Sequence, residues 1–143
     1  MERKLNAAVI GLGVGAKHAF FLNSFSKVNL VSLCDFDKKK INKYKKEFKK
    51  TFFTTNANDI FTDPKVDIIV IASYDNFHSE HILKALKYNK HFFVEKPFCL
   101  NTSELKKINF SLKKNKSIIF SSNLILRNNH FFLDLKKKVK NDS

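Results

Sequence analysis

The chain contains three glycines, and all three lie within five positions, at Gly11, Gly13 and Gly15. With their neighbours they form Gly11-Leu12-Gly13-Val14-Gly15-Ala16, which fits the spacing G-x-G-x-x-A. The chemistry of such a turn is phosphate binding. Gly11 permits the tight bend. Gly13 has no Cβ, so a pyrophosphate can approach the backbone. A small third residue lets the following helix pack on the preceding strand, and the helix directs its free N–H groups at the phosphates. This third position falls on Gly15 or Ala16. Leu12 and Val14 complete the expected cradle.

Three further groups fall after apolar runs. Asp35 lies 24 residues after Gly11, close to the roughly 20-residue offset at which an acidic side chain accepts the ribose hydroxyls of a dinucleotide. A carboxylate there favours NAD by repelling a 2′-phosphate, while Lys38–Lys40 keep NADP open. Asp37 is the alternative ribose ligand and also a candidate helix cap. Ser73-Tyr74-Asp75-Asn76-Phe77-His78 offers Ser73, Tyr74, Asn76 and His78 to a cofactor. Its plainer reading has Asn76 or Ser79 capping a helix and His78 packing in the first turn. Glu95-Lys96-Pro97 is either a charged surface turn or a place from which Lys96 reaches a substrate hydroxyl. Nothing in the sequence suggests a metal site.

Elements with the right polarity are needed to position these groups. Continuous apolar runs at Ala7–Ile10, Leu30–Cys34, Phe52–Phe53, Ile68–Ala72, Phe92–Val94 and Ile118–Phe120 predict strands covered on both faces. Between them, Ile41, Tyr44 and Phe48, then Leu105, Ile108 and Leu112, fall at helical spacing with lysines opposite. Ser79–Tyr88 predicts another helix, stopping near Asn89. Asn101 with Glu104 resembles a capping box. Strand–helix alternation predicts an α/β, doubly wound, mostly parallel six-stranded Rossmann sheet, with ligands at the carboxyl ends of the strands. Asn123–Arg127 then connects to a helix over Asn129–Lys140, whose stripe is Phe132, Leu135 and Val139.

Composition limits the other classes. The chain is one domain long at 143 residues, and 43% hydrophobic residues suffice for one core. The net charge of +14 comes almost entirely from lysine on predicted outer helix faces, mixed with asparagine. That placement argues for solvated faces and against a nucleic-acid footprint. Two cysteines, Cys34 and Cys99, are too few for a disulfide framework and suit a reducing, cytoplasmic setting. The basic start followed by the apolar run 7–16 lacks a signal-peptide cleavage site, and no run approaches the roughly 20 residues of a membrane span.

Taken together, Ala8-Val9-Ile10-Gly11-Leu12-Gly13 with His18 after it, Asp75–His78 before a helix, and Glu95-Lys96-Pro97 resemble the Gfo/Idh/MocA family of glucose–fructose oxidoreductases and inositol dehydrogenases. The resemblance covers about Leu5 to Lys140, and the Glu-Lys-Pro triplet is its most specific part. It implies NAD or NADP as cofactor and a sugar, inositol or nucleotide-sugar substrate. It also implies a catalytic Lys96, beside the nicotinamide and the substrate hydroxyl. Residues 1–122 would be the cofactor domain, and 123–143 the linker and first helix of a second domain whose sheet is not in this sequence. The family's Asp–His partners for the lysine have no counterpart. The expected partners are therefore a homo-oligomer or a separate C-terminal half. One alternative is a non-catalytic NAD-binding module that docks through Leu124–Val139; another is nucleic-acid binding through the lysines.

Overall fold

Each apolar run becomes a strand because helices cover both of its faces. The computed structural model describes residues 3–141; Met1, Glu2, Asp142 and Ser143, at the outer ends of the two expected segments, lie outside the described residues. The strands are β1 (Leu5–Ile10), β2 (Val28–Cys34), β3 (Phe52–Thr54), β4 (Ile68–Ile71), β5 (His91–Val94) and β6 (Phe120–Ser122). The helices are α1 (Gly15–Ser24), α2 (Lys38–Tyr44), α3 (Ala57–Thr62), α4 (His78–Lys87), α5 (Thr102–Lys114) and α6 (His130–Asn141). The sheet order is β3-β2-β1-β4-β5-β6, with every pair parallel. This is the expected doubly wound Rossmann sheet. The strand order turns back at β1, so the loops after β1, β2 and β4 open beside one another.

Alternate residues of the central strands serve opposite faces. Val9, registered with Leu33 and Val70, packs with Ala19 and Ile41 from α1 and α2. Ala8, Ile10, Ile69 and Ile71 pack with Phe61, Ile82, Leu86 and Ile108 from α3, α4 and α5. Each such side chain, fully buried, contributes about 1.5–3 kcal/mol relative to exposure. Two cores on one sheet therefore fix the strand ends from which the candidate site is built.

The caps follow local chemistry. Asp37 Oδ1 accepts from the Lys39 N–H at 2.8 Å, making Asp37 the cap of α2. Asn101 Oδ1 accepts from the Glu104 N–H at 2.9 Å, but the Glu104 carboxylate takes the N–H of Leu100 instead of Asn101, so the box is displaced by one residue. Asn89 ends α4 at φ 54°, with the Lys90 N–H on Ala85 O and the Asn89 N–H on Leu86 O, the pairing of a Schellman motif. Asn129 caps α6 through the Phe131 N–H.

Three expectations are corrected. β6 begins at Phe120 and not at Ile118, because Ile118 already lies in the core from the preceding turn, where its N–H bonds to Asn115 O. The helix through Ile41 and Tyr44 ends before Phe48, which still reaches the core from the turn after it. Helix α3 was not foreseen; it is six residues long, too short to show a period. Among the described residues, no helix is long and apolar enough to cross a membrane.

Candidate functional site

The site starts at the β1–α1 turn. Gly11 has φ +94°, and a Cβ there would lie 2.2 Å from Ala72 O, so only glycine fits. A Cβ on Gly15 would meet Ala72 Cβ at 2.9 Å and Val9 Cγ1 at 3.0 Å, so Gly15 takes the close-packing role between helix and sheet. A Cβ on Gly13 would meet nothing within 4 Å. Among the described residues none accepts from the N–H groups of Gly13 or Val14. The turn is therefore held by its outer glycines and left open at its middle, where amides face free space.

Asp35 ties this turn to the end of β2. Its Oδ2 accepts from the Leu12 N–H at 2.7 Å and lies 3.4 Å from Lys40 Nζ; its Oδ1 accepts from the Asp37 N–H at 2.9 Å. Such hydrogen bonds to a charged group contribute about 1.5–3 kcal/mol each. Although only 3% exposed, Asp35 lines a cleft of ≈ 330 Å³ together with Gly11, Gly13, Val14, Ser73 and Tyr74. Phe36, Lys40, Phe77 and His81 also line it. Phe36 and Tyr74 face each other across its mouth, ring centroids 5.8 Å apart. Cys34 lies in its wall, where burial, then the charges of Asp35 and Asp59, push its thiol up to about 12. The thiol stays protonated, and Asp35 is the carboxylate that faces the ribose position.

Below the β4 loop, two histidines are used internally. The Ser73 hydroxyl lies 3.0 Å from Nδ1 of His81, whose pKa is lowered to about 4 by burial first, the Lys84 and His78 charges adding to it and Glu80 opposing. His78 is fully buried, with Nδ1 2.6 Å from Pro97 O and Nε2 3.0 Å from Ser73 O. It joins the β4 loop to the Lys96–Pro97 turn, whose peptide bond is cis. This corrects the expectation of a cofactor contact at His78: a ring without exposed surface positions the two loops instead.

On the far side, the Glu95 Oε1 lies 2.7 Å from His18 Nε2 and accepts from Asn123 Nδ2 at 2.8 Å. Burial raises its pKa, but the hydrogen bonds from His18 and Asn123, the His18 ring and the Lys96 N–H outweigh burial and hold it below the usual carboxylate range. Glu95 therefore braces β5 against α1 and the start of the C-terminal segment. Lys96 beside it is exposed, at the carboxyl end of β5 and outside the cleft wall.

Of the expected cofactor residues, Gly11, Gly13, Val14, Asp35, Ser73 and Tyr74 share one cleft. Leu12, Gly15 and Ala16 build the turn beneath it, with the Leu12 N–H consumed by Asp35. Asn76 is exposed and stands, with Glu95 and Lys96, outside the lining. Sequence reasoning missed Phe36 and Phe77 at the mouth, His81 under Ser73, and the joint hold of His18 and Asn123 on Glu95. Position in the chain offered no signal for these, since each meets its partner only across the sheet.

Known proteins share this arrangement. A profile of the Gfo/Idh/MocA oxidoreductase family, NAD-binding Rossmann fold, matches residues 5–123. Myo-inositol 2-dehydrogenase of Thermotoga maritima is 29% identical over 138 residues, covering 96% of this chain and 41% of the relative. The scyllo-inositol 2-dehydrogenase (NAD(+)) of Bacillus subtilis is 28% identical over 141 residues, covering 97% and 41%. The crystal structure of myo-inositol 2-dehydrogenase from Lactobacillus plantarum superposes with a TM-score of 0.86 at 31% identity, over 97% of this chain and 42% of that one. The chain thus spans about two fifths of the length of the relatives it matches. With its open glycine turn, its Asp35 and its Glu95-Lys96-Pro97 in the places described, the chain belongs to the Gfo/Idh/MocA oxidoreductase family and carries that family's NAD-binding Rossmann fold.

Proposed function

We propose that the chain holds NAD in the cleft between β1, β2 and β4, as the cofactor part of an oxidoreductase acting on a cyclitol or sugar hydroxyl. The observation that carries this reading is the pairing of open space over Gly13 with the Asp35 carboxylate in the same cleft. The N–H groups of Gly13 and Val14 donate to pyrophosphate oxygens, and Asp35 accepts from the ribose hydroxyls. When bound, NAD supplies a nicotinamide carbon that takes or gives hydride. Lys96 is the proposed catalytic group. Its ammonium donates to the oxygen on the reacting carbon and relays the proton of that hydroxyl. The substrate class rests on the relatives, which are named as inositol dehydrogenases.

Residues 1–122 are proposed as the cofactor unit and 123–143 as the entry to a second unit, contributed by more of this protein or by another chain. Calorimetric titration with NAD tests the core of the reading. Wild type binds saturably, and Asp35→Ala weakens binding about tenfold or more, the loss of a charged hydrogen-bond acceptor. A thermal melt accompanies the titration, because Asp35 also holds Leu12. A folded Asp35→Ala with undiminished NAD affinity would refute the ribose assignment.

A further inference from the structure

Lys40 changes what the cleft can accept. It is the only lysine or arginine among the described residues lining the cleft. Its Nζ is 3.4 Å from Asp35 Oδ2 and 5.9 Å from the ring centroids of both Phe36 and Tyr74. The ammonium thus stands at the mouth, between the loop after β2 and the loop after β4, held by one carboxylate and two aromatic faces. Its neighbours Lys38 and Lys39 are exposed and do not line the cleft.

A bare carboxylate at this position rejects a 2′-phosphate, since two like charges would sit a few ångströms apart in a partly desolvated cleft. Lys40 lies at the same close range and carries the opposite sign. The Asp35–Lys40 pair is locally neutral. Its acidic member can accept ribose hydroxyls, and its basic member can donate to a phosphate. Phe36 and Tyr74 are both exposed, leaving room for an added phosphate at the rim.

We propose that Lys40 makes this cleft admit NADP as well as NAD, holding the 2′-phosphate by its ammonium at the rim beside Asp35. The inference rests on the reading that the cleft holds a dinucleotide.

The test is a titration of the full chain with NAD and NADP, and with 5′-AMP and 2′,5′-ADP as fragment probes. Salt near 0.3 M, at which the Debye length is well under 10 Å, suppresses loose binding of polyanions to a chain of charge +14. The variants are Lys40→Ala, Lys40→Arg and the neighbour control Lys39→Ala. NADP is expected to bind wild type within about tenfold of NAD. Lys40→Ala lowers the NADP-to-NAD affinity ratio about tenfold or more, Lys40→Arg restores it, and Lys39→Ala leaves it in place. The fragment pair should follow the same order. An unchanged ratio in Lys40→Ala, or an equal fall in Lys39→Ala, overturns the assignment to Lys40. NAD binding without NADP binding in wild type overturns this inference alone. No binding of either dinucleotide overturns the cofactor reading on which it rests.

Discussion

Gly11 and Gly13 share a turn, yet opposite forces keep them glycine. Gly11 is held by the protein itself: positive φ, and a carbonyl 2.2 Å from any added Cβ. Gly13 is unconstrained by the protein, with no atom within 4 Å of such a Cβ. The two alanine variants should therefore separate folding from binding. Gly11→Ala combines backbone strain of about 1–3 kcal/mol with a backbone clash, and should lower stability by at least about 2 kcal/mol in urea unfolding. Gly13→Ala should stay within about 0.5 kcal/mol of wild type. Its methyl group stands in the cleft, however, and NAD affinity should fall about tenfold or more by calorimetry. A Gly13→Ala protein that binds NAD as wild type does would show that the open space over residue 13 is not where the phosphates lie. Cys34 sets a complementary limit at the same scale: a thiol pushed up to about 12 brings no second anion to the wall beside Asp35.

Helix α4 shows how an element serves the site without entering the cleft far. Its first residue, His78, links Ser73 O to Pro97 O, and His81 one turn later backs the Ser73 hydroxyl against the rings of Phe61 and Phe77. Only 8% exposed, His81 has a pKa near 4 in the fold against an ordinary 6.5. The unfolded chain therefore takes up this proton first as pH falls. The stability linked to His81 is complete above about pH 6.5 and drains away between pH 6.5 and 4, with a ceiling of the order of 3 kcal/mol. Urea midpoints should fall across that window in wild type and fall less in His81→Gln; equal slopes would assign the loss to other groups. The upper half of the window belongs to His81, since the lowered carboxylates Glu80 and Glu95 lose their contribution only below their own ordinary value of 4.5. Much of this architecture was legible in the sequence. Runs such as Ile68–Ala72 are apolar on both faces only in a covered strand, and the three glycines can hardly serve another turn. The helix α3 was not legible, because six residues show no period, and β6 slid because Ile118 is apolar for the core and not for the ladder. The pairing of Phe36 with Tyr74, and of Glu95 with His18 and Asn123, needs the strand order itself. Each joins residues dozens of positions apart that only β1, β4 and β5, side by side, bring together.

At the scale of the whole molecule, two surface properties oppose each other. A charge of +14 on 143 residues favours separation of copies. Against this, Ile125, Leu126 and Phe131 are each more than half exposed near the C-terminal end of the described chain, and the 125–128 turn is the main neighbour of α6 there. Apolar surface of this kind marks an interface or a route to aggregation. Which property prevails depends on screening. At about 0.01 M salt the Debye length is about 30 Å, long enough for lysines across the molecule to repel an approaching copy; at about 0.15 M it is about 8 Å, and the repulsion becomes local while the apolar contact is undiminished. The chain should therefore be monomeric by light scattering at low salt and gain mass, in proportion to concentration, as salt rises. Ile125→Lys with Phe131→Lys should abolish the gain and leave the NAD titration unchanged, because neither residue lines the cleft. Mass that rises with salt equally in wild type and in the double variant would move the contact elsewhere, with the stacked Phe21 and Phe25 on the outer face of α1 as the next exposed apolar pair.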